Sequence, residues 1–202
     1  MLFGRGDATP KLILASSSPR RADILRNAGL AFESHATHID ETRRPRESAR
    51  AYVARLAAAK ARHASDRIKH KKIRAIIIAA DTAVVARGKI LGKPSDVRDA
   101  RQMLRLLSGR THTVLTGVSI VALPGGAESH HVESTRVQFV RLTAAEIDDY
   151  IATGEPFGKA GAYAIQGIAG RYVTHLEGCY FNVMGLPLAA IWRMLRACGW
   201  PA

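Results

Sequence analysis

The 202-residue chain has 47% hydrophobic and 23% charged residues, an ordinary globular composition that can bury a substantial core in one domain or in two closely packed lobes. It has no apolar run near the roughly 18 residues that a membrane helix requires, and no signal-peptide segment at residues 1–10. We expect a flexible tail at 1–10, a single domain at 11–202, and a cytoplasmic protein without membrane contact. Its two cysteines are no disulfide framework.

The charge balance is strongly basic, with 30 Lys and Arg against 17 Asp and Glu and a formal net charge of +13. A field of that sign attracts nucleic acid, anionic membranes or nucleotides, and it does not choose among them. The densest basic run, Lys-His-Lys-Lys at 69–72, lies between a predicted helix and a predicted strand. We interpret it as a solvated loop, so nucleic acid is not the expected partner.

Hydrophobic periodicity and capping residues predict strands that alternate with helices in the first half of the chain. Ser18-Pro19 is typical of a helix start, with an N-cap residue followed by proline at the first helical position. The predicted elements are a strand at 11–15, a helix from 18 to about 29, a weak strand at 32–36, a helix at 48–63, a strand at 73–80 that ends at Asp81, a hairpin of 84–85 with 90–91, and a Ser95-capped helix to 107 with Val97 facing inward.

The second half opens with a long antiparallel hairpin, 111–123 with 131–142, around a Pro-Gly-Gly turn at 124–126. Thr143 and Glu146 are spaced as a capping box for the next helix. The remaining predicted elements are that helix to 151, short strands at 162–165 and 172–176, and a final helix at 186–197. We therefore expect an α/β protein with a mixed sheet.

The segment Ser16-Ser17-Ser18-Pro19-Arg20-Arg21 joins the first predicted strand to the first predicted helix. Hydroxyl groups, N–H groups at a helix N-terminus and guanidinium groups all bind phosphate. Ser16, Ser18 and Arg21 are therefore candidate phosphate ligands. A helix cap with two solvated arginines explains the same residues equally well, and no P-loop motif is present.

Two acidic positions are candidates for catalysis or metal binding. Asp81 follows an apolar predicted strand, and open α/β sheets place ligands at the carboxyl ends of their strands. It is a candidate general base or metal ligand, although Asp-Thr can also simply turn the chain. Asp40-Glu41 can supply oxygen ligands for a divalent cation, but alone this pair is more typical of solvated surface.

Three further side chains could meet a ligand. Lys60 shares the apolar stripe of its helix with Val53 and Leu56, so its amine should approach the interior or a cleft and need an anionic partner. The commoner alternative is a lysine whose stem covers apolar surface while its head reaches water. Lys93 lies on a stiff Gly-Lys-Pro turn or a solvent-facing loop, and Gln166 either reads a base edge or lies in a turn.

An ordered series of segments spans about residues 11 to 195. Its members are Ser16 to Arg21, Asp-Glu-Thr-Arg at 40–43, Arg-Leu-Ala at 55–57 with Lys-Ala at 60–61, Ala-Asp-Thr at 80–82, Gly-Lys-Pro at 92–94, Met-Leu at 103–104 with Leu-Ser-Gly at 107–109, Gly-Lys-Ala-Gly-Ala-Tyr at 158–163, Gln-Gly at 166–167 and Gly-Leu-Pro-Leu at 185–188. This series resembles the Maf family of nucleotide pyrophosphatases. One such motif would be weak support, whereas the ordered series is highly specific.

The resemblance implies an α/β fold in which a mixed twisted sheet with flanking helices forms two lobes around a central groove, as in Maf and ITPase-like proteins. It implies hydrolysis of a nucleoside triphosphate to the monophosphate and pyrophosphate with a divalent metal cation, Mg²⁺ or Mn²⁺. By motif position, Asp81 is the catalytic proton acceptor, and Glu41 helps to hold metal or water. Arg21, Lys60 and Lys93 are implied to bind phosphates.

The resemblance also implies a substrate. The branch that prefers dTTP and UTP has Arg, Thr and Gln at three variable positions, which here are Arg20, Thr82 and Gln166. The branch that acts on 7-methyl-GTP carries Trp, Gln and Glu instead, and Ser17 departs from the Gly that relatives often have. Two alternatives stay open, a basic regulatory protein of septum formation that binds nucleic acid or a division partner without catalysis, and a pyrophosphatase for modified nucleotides. The sequence also leaves a homodimer open.

Overall fold

The computed structural model describes residues 9–71 and 73–201, so most of the predicted tail, residues 1–8, lies outside the described residues. Strands and helices alternate through most of these ranges. The elements are β1 (Lys11–Leu14), α1 (Pro19–Asn27), β2 (Glu33–Ser34), α2 (Ala49–Ile68), β3 (Ala75–Ala86), β4 (Lys89–Leu91), α3 (Val97–Leu107), β5 (Thr111–Leu123), β6 (Ala127–Phe139), α4 (Ala144–Ala152), β7 (Val173–Glu177), α5 (Tyr180–Met184) and α6 (Leu188–Ala197).

The strands form one seven-stranded sheet in the order β2-β1-β3-β5-β6-β7, with β4 paired to β3. β1 pairs in parallel with both β2 and β3. β4 runs antiparallel to β3, and β7 runs antiparallel to β6. The sheet is therefore mixed, and the predicted α/β fold with flanking helices is confirmed.

The chain divides into two compact units, each built from separate stretches of sequence. The first holds the described residues up to 81, Thr116–Glu133 and the described residues from 185 onward, and its core includes Ile13, Ala61, Ile77 and Val121. The second holds Thr82–Leu115 and Ser134–Met184, and its core includes Leu104, Phe139, Tyr150 and Tyr163. None of the helices in the described ranges has the length and apolar character that crossing a bilayer requires.

Glycine allows α2 to lie directly against β5 in the first unit. A Cβ atom added at Gly117 of β5 would be 2.3 Å from the carbonyl oxygen of Val53 in α2, a distance that real Cβ atoms do not show. The side-chain stripe of α2 that includes Val53, Leu56 and Lys60 is buried. This close packing carries Lys60 into the interior.

Side-chain caps fix several helix starts. The capping box of Thr143 and Glu146 is present at α4, as predicted. Asp96 caps α3 by accepting a hydrogen bond from the Asp99 N–H at 2.8 Å, so the prediction of Ser95 was wrong by one residue. Ser18 occupies the N-cap position of α1, but its side chain makes no capping bond.

Several local predictions were wrong. β3 does not end at Asp81 but continues to Ala86, because its later residues pair with β4. Val97 is 47% exposed. The predicted strand at 162–165 is absent, and its first residue instead belongs to a 3₁₀ helix over Ala160–Ala162. The short helix α5 was not predicted.

Candidate active site

Two predicted acids meet one predicted lysine in the first unit. Lys60 Nζ lies 2.6 Å from Asp81 Oδ1 and 2.7 Å from Glu41 Oε1. The two carboxylate oxygens are therefore separated by no more than the sum of these distances. Lys60 and Asp81 are buried, whereas the side chain of Glu41 is 53% exposed. The cluster thus combines a desolvated ion pair with a carboxylate that faces solvent.

Each member of the cluster comes from a different element. Asp81 lies near the middle of β3, Lys60 lies on the buried face of α2, and Glu41 lies in the connection between β2 and α2. A buried ammonium group is costly without an anionic partner, and here it has two. Of the two alternatives predicted for Lys60, the structure therefore shows the amine in the interior beside anionic partners and not the amine that reaches water.

Burial and neighbouring positive charges shift the pKa of Asp81 in opposite directions. Burial raises the pKa of its carboxyl group above the ordinary 3.8, while the Lys60 ammonium and the Arg21 guanidinium favour the ionised form and oppose that rise. A carboxylate with a raised pKa is a stronger base when it is ionised. Asp81 is thus suited to accept a proton from water.

Arg21 is buried and fastens three parts of the first unit together. Its Nε donates to the carbonyl oxygen of Gly185 at 2.8 Å, and its Nη1 donates to the carbonyl oxygen of Ala80 at 2.7 Å and to Ser16 Oγ at 3.2 Å. The N–H group of Ser18 also donates to Ser16 Oγ, at 3.2 Å. The structure therefore brings Ser16, Ser18 and Arg21 together beside the residue that precedes Asp81. These contacts support the fold, and phosphate binding by the three residues stays a prediction.

Arg20 follows Pro19 in the first turn of α1 and is half-buried. Burial lowers the pKa of Arg21, the Asp81 carboxylate opposes that shift, and the Arg20 cation adds to it. Arg20 is therefore close enough to Arg21 for their charges to interact. The two adjacent guanidinium groups concentrate positive charge at the start of α1.

An ion pair that the sequence reasoning missed holds the segment containing Glu41. Arg55 Nε and Nη2 donate to the two carboxylate oxygens of Glu47 at 2.6 and 2.9 Å, and Nη2 also donates to the carbonyl oxygen of Thr42 at 3.0 Å. The hydroxyl group of Tyr52 donates to the carbonyl oxygen of Glu41 at 3.0 Å. The Arg55 position belonged to a recognised motif, but its spacing from Glu47 gave no signal of this pairing.

The other predicted site residues belong to the second unit. Thr82 follows Asp81 on β3 and is half-buried. Lys93 is exposed in the connection after β4, where the Gly161 N–H group donates to the carbonyl oxygen of Gly92 at 2.9 Å. Gln166 is exposed on a turn. Their predicted roles in specificity and phosphate binding stay predictions.

A model of the family described as Maf-like protein matches residues 11–198. The chain belongs to the Maf family. A dTTP/UTP pyrophosphatase of Anaeromyxobacter sp. (strain Fw109-5) is 50% identical to this Maf chain over 194 residues, which cover 95% of the chain and 91% of the relative. A dTTP/UTP pyrophosphatase of Geobacillus sp. (strain WCH70) is 50% identical over 190 residues, covering 94% and 99% respectively.

The Maf chain also resembles a solved structure of low sequence identity, the Ham1 protein of Staphylococcus aureus. The TM-score is 0.54 at 10% identity, and the match covers 93% of this chain and 98% of the other. At that identity the likeness concerns the fold alone. The match to the family model confirms the family predicted from the ordered motifs, and the structural likeness supports its α/β fold.

Proposed function

We propose that this Maf protein is a nucleoside triphosphate pyrophosphatase that hydrolyses dTTP and UTP to the monophosphate and pyrophosphate. The observation that carries the proposal is the buried Asp81 carboxylate, paired with Lys60 next to the exposed Glu41 carboxylate. Relatives about 50% identical over nearly the whole chain are dTTP/UTP pyrophosphatases. We place the protein in the cytoplasm, in keeping with a sequence whose two cysteines are no disulfide framework.

Glu41 and Asp81 fit the donor set of a divalent cation such as Mg²⁺ or Mn²⁺. Within residues 9–71 and 73–201, no group of three or more His, Cys, Asp or Glu side chains is arranged to hold a metal ion. Mg²⁺ is usually bound by one or two carboxylates together with substrate phosphates and water, so a pair of carboxylates is sufficient. When bound, such a cation acidifies water and neutralises phosphate charge.

Residues of the chain itself accept the proton and bind the negatively charged phosphates. Asp81 accepts the proton of the attacking water, which its raised pKa favours. The Lys60 ammonium stabilises ionised Asp81 and offers positive charge to the phosphates beside it. The guanidinium groups of Arg20 and Arg21 extend that positive charge, and Lys93 is proposed to bind a further phosphate.

The proposed preference for the thymine and uracil nucleobases depends on Arg20, Thr82 and Gln166. Thymine and uracil share an O4 acceptor and an N3–H donor, which an amide and a hydroxyl group can satisfy together. Cytosine has an N4 amine donor at the position of O4, so its polarity is reversed. A site built for one edge leaves buried polar groups unpaired with the other, which can discriminate by factors of about 10⁴–10⁵.

A nucleotide panel tests the proposal. With Mg²⁺ present, we expect kcat/KM for dTTP and UTP to exceed the values for CTP and 7-methyl-GTP by at least about a hundredfold. Comparable rates on all four nucleotides would refute the assigned nucleobase preference and leave a pyrophosphatase of broad specificity. The absence of turnover on all four nucleotides would refute the proposed enzymatic activity and favour a regulatory protein.

A further inference from the structure

Glu155, in the second unit, holds the turn that follows Gln166. Its Oε1 accepts hydrogen bonds from the Tyr150 hydroxyl group at 2.8 Å and from the Ala169 N–H group at 3.2 Å. Its Oε2 accepts one from the Ile168 N–H group at 2.9 Å. One carboxylate therefore joins the C-terminal end of α4 to the first two residues of the 3₁₀ helix Ile168–Tyr172.

Gly167 shows how closely this carboxylate packs on the loop. A Cβ atom added at Gly167 would be 2.3 Å from Glu155 Oε2, so a larger residue cannot lie there without displacing the glutamate. The Gly167 N–H group donates to the carbonyl oxygen of Ala164 at 3.1 Å, which closes the turn around Gln166. Ala164 and Ile165 are buried, whereas Gln166 is exposed. The backbone on both sides of Gln166 is thus fixed, and its side chain is presented to solvent.

The negative charge of the Glu155 carboxylate suits its three hydrogen-bond donors. Burial opposes ionisation, but hydrogen bonds from Ile168, Tyr150 and Ala169 outweigh it, and the pKa of Glu155 lies below the ordinary 4.5. An ionised carboxylate only accepts hydrogen bonds, so it can serve three donors at once. A glutamine in its place would bring an NH₂ donor against one of these N–H or O–H groups.

The geometry points to Glu155 as a positioning residue for substrate choice, which fixes the 164–169 turn and so holds the Gln166 amide ready to read the pyrimidine edge. This inference rests on the proposed function, in which Gln166 contacts the base. A polar group discriminates between bases only when its position is held within about 0.5 Å. Glu155 supplies that restraint through the backbone, without touching the substrate.

The readout is the ratio of kcat/KM for dTTP to kcat/KM for CTP, measured in the full-length protein with Mg²⁺. We expect Glu155→Gln and Glu155→Ala to lower this ratio by about tenfold or more, mainly through slower dTTP turnover, because a misplaced group loses the base contact. Glu146→Gln is the matched control. The Glu146 side chain also accepts a backbone hydrogen bond, from the Thr143 N–H group at 2.8 Å at the start of α4, so the ratio of the Glu146→Gln protein should stay at the wild-type value.

A double-mutant cycle separates positioning from a general structural role. In a Gln166→Ala background, adding Glu155→Gln should change the ratio by less than about twofold, because the group to be positioned is gone. A wild-type ratio in both Glu155 variants, or equal losses on dTTP and CTP, would overturn the inference while leaving the proposed function intact. A wild-type protein that does not distinguish dTTP from CTP would overturn the base assignment of Gln166, and this inference with it.

Discussion

At Asp81 and Arg21, contacts between distant parts of the chain decide what the side chains do. The candidate acids and Lys60 could be selected from the sequence because strand, helix stripe and motif each marked them. The distances between them could not be predicted from the sequence, since Lys60 is 21 residues from Asp81 along the chain. The two carbonyl partners of Arg21 lie 59 and 164 residues away, so a local pattern predicts only a cap or a phosphate ligand.

We expect Asp81→Asn to leave the fold intact and to reduce turnover of dTTP by about 10²–10⁴-fold, because an amide has nearly the same shape but cannot accept the proton. Steady-state kinetics with a thermal melt of the same preparation measures both effects. Asp148→Asn, which alters an exposed carboxylate paired with Arg101, is the control and should retain wild-type activity. Activity above about a tenth of wild type in Asp81→Asn would make Glu41 the candidate base.

Replacing Arg21 by alanine should lower the free energy of unfolding by about 2 kcal/mol or more, because two carbonyl groups and Ser16 Oγ lose a charged donor. Urea denaturation measures this change. Arg26→Ala on the same helix removes only an exposed pair with Asp23 and should stay within about 0.5 kcal/mol of wild type. An Arg21→Ala protein of undiminished stability that binds triphosphate poorly would assign Arg21 to phosphate binding alone.

The elements β3, β4 and α4 show which features local sequence patterns determine. Strand and helix interiors follow from periodicity, and the capping box at Thr143 was readable because all of its chemistry lies within four residues. The end of β3 was not readable, because its last residues stay extended through pairing with β4. Gly161 has φ +71°, and an added Cβ would be 2.9 Å from Val84, so packing against another element decides the conformation there.

His112 on β5 makes the second unit sensitive to acid. It is buried against Phe139 and Tyr163, and burial lowers its pKa from 6.5 to about 4. The unfolded chain therefore binds a proton at this site before the folded protein does, and stability that is present above pH 6.5 is lost as the pH falls toward 4. The full effect is about 3 kcal/mol.

Urea denaturation at pH 7 and at pH 4.5 tests this assignment. In His112→Leu, the fall in unfolding free energy between the two pH values should be smaller than in wild type by most of that amount. His175→Leu, at an exposed position of β7, should keep the wild-type fall. An unchanged pH dependence in His112→Leu would show that other groups cause the acid sensitivity.

For the whole molecule, the order of motifs was more informative than any single residue. The family followed from segments spread over about residues 11 to 195, and the match over 11–198 confirms it. The sequence left one domain or two closely packed lobes open, because each compact unit combines stretches that are far apart in sequence. The charge of +13 favours anionic ligands of every kind and so could not identify the substrate.

Product identification with dTTP tests the proposed reaction most directly. The purified protein is incubated with dTTP and Mg²⁺, and the products are separated by anion exchange and assigned by ³¹P NMR. We predict dTMP and pyrophosphate in equal amounts, with no dTDP, and formation of both products slowed by at least about a hundredfold with Asp81→Asn. Formation of dTDP with orthophosphate, or an unchanged dTTP pool, would contradict cleavage between the α- and β-phosphates by this site.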